Sequence, residues 1–173
     1  MINKWWRNSN IAAGLITIIR LYLGVSFLTA GWGKISGGQF DASGFLANAI
    51  KNPVLGPDGN AVFAPFTAFL KSFALPNVEL FNVMVPWGEF FVGLGLILGC
   101  FTTVAAICGM LMNFSFMMAG TVSHSPQDIF IEFLIITAGI NAGKYGLDRF
   151  VLPYLRKLMK KENGKEIQKG SAA

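Results

Sequence analysis

Long apolar runs separated by polar breaks dominate the chain, and each run carries at most one charged side chain away from its ends. A helix that crosses a bilayer takes about 20 mostly apolar residues. The pattern therefore predicts spans at 11–33, 83–99, 104–119 and 128–143, joined by a long loop over 35–82 and by short turns. Within the loop, Ser43 is expected to cap a short helix that stops by Pro53. Residues 53–60 read as a turn from their Pro, Asp and Gly content. Residues 64–75 place Phe66, Phe69, Leu70 and Phe73 at helical spacing, which predicts a helix at the membrane interface or packed over the other helices. Pro86 either opens the second span or kinks it. After Tyr145, Asp148 is expected to cap a last helix. Its Val151, Tyr154, Leu155 and Leu158 form an apolar stripe opposite Arg156, Lys157, Lys160 and Lys161, as in a helix lying on an anionic leaflet.

The fold class expected is thus all-α: an integral membrane four-helix bundle with an outer loop containing short helices and a C-terminal amphipathic interfacial helix. Residues 1–162 form one domain, and 163–173 are a polar tail expected to be disordered. Composition agrees, since 53% of the 173 residues are apolar and only 13% charged, where a soluble domain has about a quarter charged. The net charge of +5 sits beside the spans, so it reports orientation rather than nucleic-acid binding. Lys4 and Arg7 precede the first span; Lys144, Arg149, Arg156, Lys157, Lys160 and Lys161 follow the fourth. The positive-inside rule then puts both termini on the cytoplasmic side of a multi-pass cell-membrane protein. The N-terminal run resembles a secretory signal, but no convincing cleavage site follows, which predicts an uncleaved anchor.

Few residues can carry chemistry. Arg20 lies inside the first span, where a lone charge costs at least a few kcal/mol, and it shares a helix face with Gly24, Gly31 and Lys34. Glu89 in the second span and Glu132 in the fourth supply counter-charges on faces rich in glycine, which lets helices approach closely. Asn113 adds a neutral hydrogen-bonding group. These residues are expected to form one polar cluster of Arg20, Glu89, Asn113 and Glu132, with Lys34 and His124 near its outer mouth and Trp87 as a further ligand contact. A purely structural reading pairs Arg20 with Glu89 to fix helix register, and it stands beside the functional one. His124 reads as a loop residue. One His and two separated Cys leave no evident zinc, iron–sulfur, haem, flavin or dinucleotide site. Any redox carrier would be bound from outside the chain, and a quinone suits cationic and amide donors beside a carboxylate that exchanges protons.

The elements Arg20-Leu-Tyr-Leu-Gly24, Ala30-Gly31-Trp-Gly-Lys34, Gly88-Glu89 with Gly93 and Leu98-Gly99, and Lys144-Tyr-Gly146-Leu-Asp148 resemble the DoxX/DoxD family of small four-helix membrane proteins. The resemblance runs from Ile16 to Phe150. It implies a role beside quinone-linked redox enzymes, one branch being the membrane subunit of a thiosulfate:quinone oxidoreductase. Arg20, Lys34 and Glu89 would then be the polar centre. The expected function is a membrane subunit that binds a quinone, menaquinone or a related one, and accepts electrons from a partner redox subunit. Glu89 would exchange protons, and Arg20 would act electrostatically. The alternative is a non-catalytic anchor or assembly factor for a redox or stress-response enzyme. A homo-oligomer is as open as a partner subunit, and the residues alone leave open whether the chain is catalytic.

Overall fold

The computed structural model describes residues 1–38 and 40–157 and is all-α. Helix α1 (Ile2–Asn8) leads through Ser9, whose hydroxyl accepts the Ile11 amide, into the 27-residue α2 (Asn10–Ser36). The long connection holds α3 (Ser43–Lys51) and α4 (Ala64–Phe69), the latter continuing as a π-helical turn, Leu70–Ala74. Then follow α5 (Val78–Leu98), α6 (Thr102–Met118) and α7 (Ser125–Ala138), with a 3-10 turn at Gly139–Gly143. A last helix, α8, occupies 148–157. The continuation of its stripe, Leu158, Lys160 and Lys161, and the tail 163–173 lie outside the described residues.

Helices α2, α5, α6 and α7 pack in a ring, each against the next. The closest pair is α2 with α5, and glycine makes it close. A Cβ added at Gly31 would stand 2.5 Å from the Phe90 amide nitrogen and 2.7 Å from the Pro86 carbonyl, and one at Gly24 would stand 2.9 Å from Ile97. The two helices run antiparallel with bare backbones in contact, the arrangement small residues permit. Between the four helices lies an apolar core around Ile16, Leu23, Leu96 and Ile135. A second cluster, of Leu46, Ala49, Leu70, Ala74 and Ala119, packs the connection over the end of α6. That is the packed alternative expected for 64–75.

The outer surface is apolar. Ile18, Tyr22, Phe91, Leu111, Phe130 and Ile140 are each about 60% exposed or more, whereas Arg20, Glu89, Asn113 and Glu132 are buried. Water does not favour such an inversion over contiguous faces. Both α2 and α5 are long and apolar enough to cross a membrane, and only 39% and 28% of their most apolar stretches are buried, unlike the core helices of a soluble protein. The 17-residue α6 is apolar but shorter.

Several expected details change. Pro86 lies inside α5, which starts eight residues earlier, so it does not open the helix. The fourth predicted run stops being α-helical at Gly139, whose φ of +58° and ψ of −129° only glycine adopts readily. Asp41, not Ser43, holds the start of α3: its carboxylate accepts the Ser43 amide at 2.9 Å and the Ser43 hydroxyl at 2.6 Å. Residues 53–60 do turn, closed by a single bridge between Leu55 and Ala61.

Candidate functional site

The polar residues form four groups at two ends of the packed helices rather than one cluster. At the end where α2 meets the long connection, the Lys34 ammonium donates to both Glu89 oxygens, 2.7 Å to Oε1. Glu89 is 4% exposed, and the Lys34 ammonium lies 5.7 Å from the Phe40 ring centre. Across the ring of helices the Asn113 amide donates to Glu132 Oε1 at 3.0 Å. Glu132 is fully buried, and its Oε2 has no partner among the described residues. Gly109 leaves room for this carboxylate, since a Cβ there would meet Oε1 at 2.5 Å. The third pair, His124 Nδ1 with Asp128 Oδ2, closes the start of α7; Asp128 is buried while the imidazole is 62% exposed.

Arg20 belongs elsewhere. It is 1% exposed and sits at the opposite end, donating through Nη1 to the Ala142 carbonyl at 3.3 Å. Its guanidinium covers the point where Gly99 and Gly146 touch; a Cβ on Gly146 would stand 2.7 Å from the Gly99 Cα. Beside it, Asp148 accepts the amides of Phe101 at 2.6 Å and Thr102 at 2.9 Å, and acts on Arg20 electrostatically. Asp148 therefore caps α6 rather than α8. The expected Arg20–Glu89 pair is absent, and so is the expected single cluster. The reason is register. Gly31 lies level with Pro86 and Phe90, and Gly24 with Gly93 and Ile97, so Arg20 lies level with Gly99. Glu89 is ten residues back along α5, roughly 15 Å away at the helical rise.

A cavity of about 1120 Å³ runs between α5 and α6 under the helices of the connection. Its charged and amide lining gathers at one end: Lys34, Glu89, Asn113, His124 and Asp128. Apart from a few hydroxyls such as Ser26 and Ser115, the rest is apolar, with Phe91, Leu98, Val104 and Leu111 forming a wall that is itself exposed to the surroundings. Of the sequence candidates, Lys34, Glu89 and Asn113 line the cavity. Glu132 adjoins it through Asn113. Arg20 and Trp87 are not among its lining residues, and Trp87 stacks on Phe91 with ring centres 5.7 Å apart. Sequence reasoning put His124 near the mouth only as a loop residue and left out Asp128; their i, i+4 spacing at a helix start was the available signal. No group of three or more His, Cys, Asp or Glu that could hold a metal occurs among the described residues.

The geometry can hold an amphipathic molecule with its polar head by a lysine, two carboxylates and an amide, and its apolar part along α5 and α6. No curated protein and no solved structure matches the chain. The family model described as DoxX matches residues 15–122, from early α2 past the end of α6. The match takes in Arg20, Lys34, Glu89 and Asn113, and leaves Asp128, Glu132 and Asp148 beyond it. Together with the two long apolar helices this makes the chain a membrane protein, and it belongs to the DoxX family.

Proposed function

We propose that α2, α5, α6 and α7 all span the membrane, with both termini cytoplasmic, and that the α5–α6 cavity binds a quinone through which the protein serves a partner redox enzyme. The observation that carries the proposal is the shape of the cavity's chemistry: one polar end and a long apolar remainder that opens where lipid would lie. Lys34 and Asn113 would hold the head group's carbonyl oxygens, and the exposed wall of Phe91, Leu98, Val104 and Leu111 would face the isoprenoid chain. A quinone supplies a two-electron, two-proton acceptor. The Lys34 ammonium offers hydrogen bonds and positive charge at that end, held in place by Glu89. The Glu89 carboxylate, buried and open to the cavity, exchanges a proton at Oε1 or Oε2. The His124 imidazole, exposed on one side and bound to Asp128 on the other, connects this end with the surrounding water. Removal of Glu89 or Lys34 breaks a largely buried ion pair and leaves the other charge unmatched.

Quenching of tryptophan fluorescence during titration with a short-chain naphthoquinone tests binding in the cavity. Gly88 lines it, and a Cβ there would meet only the flexible end of Met112 at 3.5 Å, so Gly88→Leu fills the space without displacing backbone. Affinity is expected to fall at least about tenfold in Gly88→Leu, the loss of roughly 1.4 kcal/mol of contact. Equal affinity in the wild type and Gly88→Leu rejects the cavity as the site. The alternative function, a non-catalytic anchor, is favoured by one observation: Arg20 and Asp148, at the end away from the cavity, tie helices together instead of facing a ligand.

A further inference from the structure

A second cavity, of about 540 Å³, lies at the end of the helices where α1, the Gly139–Gly143 turn and α8 meet. Four cations line it: Arg7, Lys144, Arg149 and Arg156. They come from two parts of the chain far apart in sequence, α1 and residues 144–156, and the fold brings them together. Among the described residues none of the four is paired with a carboxylate. Asp148 is the one acid in the lining, and both its oxygens are taken by the Phe101 and Thr102 amides. The Arg7 guanidinium lies against Gly139, where a Cβ would come within 3.2 Å of Nη2. Lys144 is braced by the Asn10 side chain. Ile140 and Leu152 complete an apolar side to the same cavity, and Ile140, Phe150 and Tyr154 are exposed apolar residues of the elements that line it.

We propose that this cavity is a binding site for an anionic phospholipid, its phosphodiester held among the four cations and its acyl chains along Ile140 and the exposed apolar surface beside it. Orientation by positive charge needs cations only near the ends of the spans; it does not require four of them around one cavity with an apolar wall. Basic pockets at helix ends bind anionic head groups in this way. The apolar wall is what selects a lipid over a free phosphate. The site is remote from Lys34 and Glu89, so it stands or falls independently of quinone binding.

The test is native mass spectrometry of the full chain, delipidated in neutral detergent and titrated with phosphatidylglycerol, phosphatidylcholine or inorganic phosphate. Phosphatidylglycerol is expected to bind at least about tenfold more tightly than phosphatidylcholine, with its affinity falling about fivefold per cation removed in Arg149→Gln/Arg156→Gln and in Arg7→Gln. The exposed pair Lys51→Gln/Lys71→Gln, on the long connection, is expected to leave binding unchanged. Circular dichroism of each variant confirms folding. Equal affinity for the two lipids overturns the proposal, as does an equal loss in the Lys51/Lys71 pair. Inorganic phosphate displacing phosphatidylglycerol at equal concentration also overturns it and makes the cavity a free-phosphate site.

Discussion

At the scale of single residues, Arg20 and Glu89 separate into two roles that the sequence joins. Each is a buried charge in an apolar run, and each was legible as such because a charge in that setting needs a partner. Which partner was not legible, since helical periodicity reports a face and says nothing of the offset between two antiparallel helices. Lys34 was on the correct face and turned out to be the partner of Glu89. Arg20 instead completes a joint of α2, the Gly99 turn and the Gly143–Asp148 segment. Arg20→Ala is expected to lower stability by about 3–5 kcal/mol, the usual effect of breaking a buried charged network. Thermal unfolding in lipid nanodiscs reads this. Naphthoquinone affinity of the fraction that folds should stay within about twofold of wild type, under 0.5 kcal/mol; a tenfold loss would return Arg20 to the binding site.

At the scale of elements, the spacing of Gly24, Gly31 and Gly93 foretold close helix contact, and α2 against α5 is that contact. Gly31→Leu would force a side chain into the Pro86–Phe90 backbone, which cannot yield as a flexible side chain does. It is expected to cost more than the ~1–3 kcal/mol of ordinary overpacking, seen as a lower unfolding midpoint, whereas Gly14→Leu, with open space around it, should be nearly neutral. The boundaries of α5 and α7 were less legible. Val78 to Asn82 is part of α5 although Glu79 and Asn82 interrupt its apolar pattern, and α7 ends at a glycine conformation that hydropathy does not register. The start of α3 depends on one carboxylate. Hydrogen bonds from the Ser43 hydroxyl and amide, then from Asn82, hold the Asp41 carboxyl below the ordinary aspartate value. Its folded form is the more acidic, so its contribution is present above the unfolded value near 3.9 and fades as pH falls through the lower folded one. Amide exchange in 45–49 should therefore accelerate below about pH 4 in the wild type, and be fast and independent of pH in Asp41→Ala once intrinsic exchange is subtracted. A pH-independent wild type would remove Asp41 as the cap.

At the scale of the whole molecule, the apolar exterior and the charged interior follow directly from composition and from where the ionisable residues fall along the runs. The all-α fold and its family were legible on those grounds. Neither cavity was, because each is lined by residues from several elements: the larger joins Lys34, Glu89 and Asn113 to the loop residue His124, and the smaller joins α1 to the Gly139–Gly143 turn and α8. Only tertiary packing brings such residues together. The larger cavity bears the functional proposal, and its most direct test is mass spectrometry of lipid extracts from protein purified in mild detergent out of quinone-containing membranes. About one quinone per chain is expected in the wild type and little in Gly88→Leu, the scale of a tenfold affinity loss. Folded wild-type protein that carries no more quinone than Gly88→Leu would contradict quinone binding in the α5–α6 cavity.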